Sequence, residues 1–417
     1  MFNYIKDLLN FKNLVLIFPV ALISVKIIGN LILFFILLVG IKNYFINNYQ
    51  PFKIPATKMI SIISIAYFSI MLLSIIFNAG FNEEIKHIAR KLHFLLLPII
   101  SLAFLGFKID VKAIIMSIKI GLISIGLIIF FQGFFSHEGF IDLIWDEGRL
   151  SGMINSNVSG DIMVLMFFMS IVRFFDENKK ELLLTFISSS FGLFGILSSG
   201  SRGSWLTFTI LAIILFFLKF KKILFVYHNK KSLLYGVGLF LISSLIVFAP
   251  KIHITFQHTL SNVLIWADNE EIYSSSGIRL EMWQDSLEAF KDAPWYGYGY
   301  RLANSKVSEY SQNHSEVISS FTHLHNEYIT ALLSAGFPGL FLLILILFVP
   351  MSIFFKSRHY EENYYVSIMG IVLTMGYAIS GITHIAFGEE HLNAFYVFYI
   401  LLLLNLIVNN KNNKELR

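Results

Sequence analysis

Long apolar runs separated by short polar breaks occupy most of the chain. Leu14 to Val25, Leu31 to Phe45, Met59 to Asn78, Leu92 to Phe107, Ala113 to Phe134, Ile154 to Phe175, Leu182 to Leu197, Trp205 to Leu218 and Leu233 to Ala249 come first. Phe337 to Phe355, Tyr364 to Thr383 and Asn393 to Val408 close the series. Most approach the roughly 20 residues that a helix needs to cross about 30 Å of hydrocarbon. They are continuous and do not alternate, so they predict spanning helices and not the strands of a barrel. The expected fold is an all-α polytopic membrane protein with about twelve transmembrane helices. One long polar stretch interrupts the pattern, from Pro250 to His325. The expected organisation is therefore an N-terminal transmembrane bundle (1–249), a periplasmic loop with interfacial amphipathic helices (250–325) and C-terminal transmembrane helices (326–417).

Basic residues give the orientation. Lys42, Lys53 and Lys58, then Lys108 and Lys112, Lys179 and Lys180, the cluster Lys219, Lys221, Lys222, Lys230 and Lys231, and finally Lys356 with Arg358 fall in alternate breaks. The positive-inside bias places these breaks and both termini in the cytoplasm, and the long polar stretch outside. Composition agrees: 56% of the 417 residues are hydrophobic and 14% charged, with a mean hydropathy of +0.69. The net charge of +5 is small and confined to breaks, so it signals topology and no nucleic-acid partner is expected. The absence of cysteine excludes disulfides and thiolate metal sites. No small-residue cleavage site follows the first apolar run, so a cleaved leader is not expected. No internal repeat supports an inverted-repeat transporter.

Candidate chemistry collects on the outer side. Thr322-His323-Leu324-His325-Asn326-Glu327-Tyr328 enters a short apolar helix expected to end at Gly336-Phe337-Pro338-Gly339. His325 is expected in its first turn, where the helix dipole keeps an imidazole neutral and able to take a proton. Taken alone, a boundary histidine is more often a headgroup contact. Arg202 lies in the Gly- and Ser-rich turn Ser198 to Ser204, and its guanidinium offers a fork for phosphate oxygens. Ser274 to Arg279 opens an amphipathic helix, with Ser276 as its expected N-cap and Leu280, Trp283, Leu287 and Phe290 as an apolar stripe lying in the membrane interface. Arg279 in its first turn opposes the dipole unless an anion compensates. The turn Trp295-Tyr296-Gly297-Tyr298-Gly299-Tyr300 ends that helix and offers rings that stack on sugars. Asp268, Glu270 and Glu271 are a poor metal set, and no metal or other cofactor is expected. Fixed guanidinium charge suits a diphosphate leaving group, and a neutral imidazole suits an attacking hydroxyl. Lys119 and Asp161 are the clearest ionisable residues within spans, where a transporter would place its path.

The turn Ser199-Gly200-Ser201-Arg202-Gly203, the segment Gly277-Ile278-Arg279-Leu280 with Trp283, Pro294 and Gly297, and His325-Asn326 followed by Gly336-Phe337-Pro338-Gly339 resemble the bacterial O-antigen ligase and polymerase superfamily. The resemblance runs from Arg149 to Ile382. It implies a GT-C-like glycosyltransferase of the bacterial inner membrane with a periplasmic active site. Such an enzyme moves a glycan from undecaprenyl diphosphate to an acceptor hydroxyl without nucleotide sugar or metal. By that resemblance His325 is the catalytic base, Arg202 and Arg279 hold the diphosphate, and Arg149, followed by Asn155 and Asn157, contacts a lipid-linked substrate. His323, Asn326, Gly336 and Gly339 support the site. His314, His384 and His391 rank second, and Glu389 and Glu390 are candidates for acceptor binding. The ligase reading takes lipid A-core as acceptor. A polymerase, a protein O-oligosaccharyltransferase and a lipid-linked glycan flippase are the alternatives.

Overall fold

The computed structural model describes residues 10–24, 27–53, 55–78, 87–136, 149–229, 246, 249–264, 275–311, 314–321 and 323–415. Among them there is no strand. The helices are α1 (Phe11–Ser24), α2 (Ile28–Phe45), α3 (Pro55–Phe77), α4 (Leu92–Phe104), α5 (Val111–Ser136), α6 (Ser156–Ser170), α7 (Lys179–Ser198), α8 (Arg202–Asn229), α9 (Ser275–Asp292), α10 (Tyr300–Tyr310), α11 (Ser315–Ser320), α12 (Glu327–Ser357), α13 (Tyr364–Ser380) and α14 (Glu390–Glu415). Nine helices among the described residues are long and apolar enough to cross a membrane. The protein is a multi-pass helical membrane protein, as its hydropathy predicts. Phe11–Ser24 is shorter, α13 has 17 residues, and most of the span expected at Leu233 to Ala249 lies outside the described residues. So do Asp268, Glu270, Glu271 and Thr322.

The chain forms two compact units, Met1–Gly29 with Ile109–Gln257, and Asn30–Lys108 with His258–Arg417. Each is built around one helix apolar on all sides, the pattern of a helix enclosed by others. In the first unit it is α6, buried at every position from Val158 to Ser170. The helices α5, α7 and α8 pack on it, and α1 packs on α5. Charged side chains lie inside this unit, among them Lys119 and Asp161. Lys119 on α5 meets Glu177 at 2.5 Å with both side chains buried, and the second Glu177 oxygen accepts the Thr185 hydroxyl. Asp161 on α6 accepts the Ser204 hydroxyl at 2.7 Å. A buried charge persists only when paired and hydrogen-bonded. Lys119 and Asp161 are thus engaged in holding helices together.

In the second unit the enclosed helix is α14, with Ala394 to Leu404 all shielded. It packs on α4 and α13, α13 packs on α12, and α12 packs on α3. The helix α12 is broken where the sequence places its Gly-Phe-Pro-Gly motif. Ala335 (φ −141°, ψ 20°) and Gly336 (φ 65°, ψ −163°) leave helical geometry, so a short segment before the break precedes the longer span. The break is clamped by the turn after α9: Tyr298 N–H donates to Leu333 O at 2.8 Å, Gly299 N–H to Ser334 O at 3.0 Å, and Phe337 N–H to Pro294 O at 2.8 Å. Two backbones meet here with no room for side chains. A Cβ on Gly336 would lie 2.5 Å from the Trp295 carbonyl carbon, and one on Gly297 2.5 Å from Leu333 O.

Candidate active site

The loop before α12 is pegged by Leu324. Its side chain is buried in an apolar cluster with Ile278, Met282, Ala289, Ala303, Val307, Ile318 and Leu333. Its carbonyl accepts the Trp283 indole N–H at 2.9 Å. Burying a leucine contributes about 1.5–3 kcal/mol, enough to set which way the flanking residues lie. Asn326 then caps α12 by accepting the Ile329 N–H at 3.0 Å, and Glu327 N–H donates to Gly381 O at 2.7 Å. Between peg and cap, His325 takes a left-handed backbone, φ 51°, a conformation costing a non-glycine residue about 1–2 kcal/mol. The expectation that His325 lies in the first helical turn is corrected: α12 begins at Glu327, and His325 precedes the cap.

That geometry brings two imidazoles together. His323 Nε2 and His325 Nδ1 are 3.1 Å apart, with ring centroids 4.1 Å apart and planes tilted by 58°. The Phe321 ring meets His325 edge-on at 5.6 Å. Desolvation lowers the His325 pKa to about 2, reinforced by the like charges of His323, Arg279 and His384. Desolvation lowers that of His323 to about 4, reinforced by His384, Arg279, Arg90 and His87. Both rings are therefore neutral at pH 7, one donating to the other. The cause is burial and neighbouring cations, more than the helix end the sequence suggested.

Beneath this loop lies a network that sequence reasoning missed. Glu327 is buried, and its Oε2 accepts the Phe387 N–H at 2.9 Å. Lys91, also buried, donates to Phe387 O at 3.2 Å and to the Tyr67 hydroxyl at 3.1 Å. Tyr67 in turn hydrogen-bonds Glu327, and Lys91 sits 5.1 Å from the Tyr67 ring centroid. The backbone of one residue is gripped at both its N–H and its C=O by opposite charges. The signal was an acid directly after the His-Asn pair, but its partner is 236 positions away (327 − 91), in a break that reads as an outer loop.

Arg279 lies on α9 and is half-buried. Ser276 is inside this helix, which starts at Ser275, and so does not cap it. The buried stripe is Ile278, Met282, Ser286 and Ala289, while Leu287 is 57% exposed. The helix packs on α10 and α12, and of the expected stripe Trp283 and Phe290 are half-buried against the same cluster. The expected sugar platform is similarly re-read: the Trp295 to Tyr300 turn clamps the α12 break through backbone bonds, although Trp295 and Tyr296 remain exposed. Glu281 ties this subassembly together, accepting the Ser311 hydroxyl at 2.8 Å and meeting His314 Nδ1 at 2.7 Å, which gives His314 a structural role. His384 and His391 are buried, and Glu390 is exposed and accepts Asn30 Nδ2. Among the described residues no group of three or more His, Asp or Glu is arranged to hold a metal ion.

In the first unit, the turn between α7 and α8 is only Ser199 to Ser201, and Arg202 is the first residue of α8. Gly200 (φ 59°) supplies the left-handed residue. Ser204 donates its hydroxyl proton to Asp161 and accepts that of Ser201 at 2.9 Å, fixing the start of α8. Arg149 folds over this turn: Nε donates to Ser199 O at 3.0 Å and a terminal nitrogen to Asn157 Oδ1 at 2.5 Å. Asn157 N–H in turn donates to Asn155, the cap of α6. Desolvation lowers the Arg149 pKa, and the neighbouring Arg202 charge adds to it. Two guanidinium groups close enough to repel, one at a helix N-terminus, form a place where an anion relieves unfavourable charge. The structure thus brings together His323 with His325 in one unit, and Arg149 with Arg202 in the other.

Comparison with known proteins places these residues. Residues 187–344 match the family model described as "O-Antigen ligase". The matched stretch contains Arg202, Arg279, His323, His325, Asn326, Gly336 and Gly339, and excludes Arg149, Lys91 and Phe387. A protein of Haemophilus influenzae described as "Uncharacterized protein" is 27% identical over 316 residues, 73% of this chain and 75% of its own length. The chain, with its many apolar helices, is thus similar to the O-antigen ligase family over a stretch that carries the Ser199 to Gly203 turn, the Gly277 to Leu280 segment and the His325-Asn326 and Gly336 to Gly339 motifs.

Proposed function

We propose that the protein is an O-antigen ligase: it transfers a glycan from undecaprenyl diphosphate to a sugar hydroxyl of lipid A-core at the periplasmic face of the inner membrane. His325 is the general base. Arg202 and Arg279 hold the diphosphate, with Arg149 beside Arg202, and no metal takes part. Both termini are cytoplasmic. The observation that carries this reading is the His325 ring, held in a left-handed backbone between a buried peg and a helix cap within a family-matched stretch, where burial and nearby cations lower its pKa. A base must be unprotonated at working pH and must not be free to rotate away. Guanidinium forks match the charge that develops on a departing diphosphate. The rival reading as a glycan flippase loses its two ionisable path residues to the Lys119–Glu177 pair and the Asp161–Ser204 bond.

The deciding experiment is the lipopolysaccharide profile of cells lacking the protein. Accumulated full-length glycan not joined to lipid A-core is the expected result. Single-unit caps would make it a polymerase, and normal lipopolysaccharide with unglycosylated protein would make it a protein glycosyltransferase. A second expectation concerns the arginines. Arg202→Lys keeps the charge but not the fork, so purified enzyme should lose about tenfold or more in kcat/KM for the lipid-linked donor. If Arg202 and Arg279 serve one diphosphate, the double Lys variant should lose less than the product of the two single losses. Unchanged turnover in the double variant would remove both from donor binding.

A further inference from the structure

We propose that His323 is the proton-accepting partner of His325, so that the hydroxyl proton taken at one side of the pair is passed through it. This rests on His325 being the base. The geometry fixes the roles of the ring nitrogens. His325 faces His323 with Nδ1, leaving Nε2 for the acceptor hydroxyl. Nε2 carries a lone pair only if Nδ1 holds the proton and donates it to His323 Nε2. The opposite arrangement, with His323 donating, puts the proton on His325 Nε2 and removes the base. His323 therefore selects the tautomer, the task of the orienting group in catalytic triads. Here the orienter is an imidazole, which can itself take up a proton.

The surroundings favour moving the charge on. The charged and titratable groups acting on the pair are Arg279 from α9, Arg90 and His87 from the segment leading into α4, and His384 from the turn after α13. Among the described residues these are cationic or neutral groups, and their charges disfavour a cation confined to His325. Sharing it with His323, whose ring is the less depressed of the two, lowers that cost. In the reaction, the acceptor oxygen bonds the anomeric carbon as the carbon–oxygen bond to phosphate breaks, its electron pair leaving on the diphosphate. The hydroxyl proton goes to His325 Nε2 while the Nδ1 proton goes to His323 Nε2. His323 ends as imidazolium, and the pair resets when its Nε2 proton returns to His325 Nδ1 as the Nε2 proton of His325 passes to water. Leu324 holds both rings at this separation before substrate arrives.

The test uses the full-length protein in detergent, undecaprenyl-diphosphate-linked glycan and lipid A-core from cells that make it, and single-turnover rates. In mixtures of light and heavy water the native rate should fall along a curved line, since two protons move together. His323→Gln keeps an acceptor for the Nδ1 proton but cannot take it up. It should transfer about a hundredfold more slowly with donor KM and thermal midpoint unchanged, and its isotope plot should be straight. A straight plot for the native protein, or a native rate in folded His323→Gln, overturns the relay. Should the variant fail to fold, the native plot alone decides. Activity in His325→Ala would instead remove the base itself, so the two failures are distinguishable.

Discussion

Replacing His325 by alanine should reduce glycan transfer by about three orders of magnitude or more, the scale of a general base in acyl and glycosyl chemistry, while leaving donor binding in place. Purified variant assayed with donor, acceptor and chelator, beside a melting curve to show that it is folded, makes the measurement; native turnover would remove the base. The same ring predicts an unusual pH profile. An ordinary imidazole is half protonated at pH 6.5, but burial and nearby cations hold His325 near 2 and His323 near 4. Both pKa values are depressed, so the neutral forms persist as pH falls through 6.5 and are lost only toward pH 4 and below. For the free enzyme, kcat/KM should therefore stay flat from pH 8 through pH 6. Bound diphosphate would offset the Arg279 charge and make His325 more basic, so any acid limb in kcat should lie at higher pH than that in kcat/KM. An acid limb of kcat/KM centred near 6.5 would contradict the burial of the pair.

Gly336→Ala should be the most damaging substitution away from the chemistry. Two effects add. The left-handed backbone of Gly336 (φ 65°) costs alanine about 1–2 kcal/mol. The added Cβ would also lie 2.5 Å from Trp295 C and 2.6 Å from Pro294 O, and backbone cannot move aside as a side-chain tip can. Opening the three hydrogen bonds that join this turn to the α12 break would forfeit about 1 kcal/mol each. The sum is about 4–5 kcal/mol. Gly106→Ala is the matched control: its φ is 71° with nothing within 4 Å of the added carbon, so only the conformational cost applies. Thermal midpoints in detergent compare the two. Equal losses would show that the joint between turn and break is softer than its contacts imply.

What could be read from sequence depended on how local the cause was. The end of α9 before Pro294, the break at Gly336 and the turn carrying Arg202 follow from glycine and proline, whose restrictions act on neighbouring residues. The His323–Leu324–His325 arrangement was partly legible, because a leucine between two histidines sends its own side chain elsewhere. The network of Lys91, Tyr67, Glu327 and Phe387 was not, since its two halves lie more than two hundred positions apart and each member suits a simpler role. The α9 stripe was misread for a related reason. Helical spacing locates an apolar face to within about one residue step, and only the α10 and α12 surfaces decide that Met282 and Ala289 go in while Leu287 stays out.

The grip on the Phe387 backbone bears on how this molecule could be dissected. Glu327 belongs to the family-matched stretch, yet Gly381 O, which accepts its amide, and Phe387 N–H and Tyr67, which bond its carboxylate, all lie outside 187–344. The matched stretch also takes part of each compact unit and the whole of neither. Excised on its own, 187–344 would carry the reactive side chains but bury an acid with nothing to answer it. Kinship and self-sufficiency thus have different borders here: a working minimal fragment must also retain α3 with Tyr67, Lys91 and the chain through Phe387.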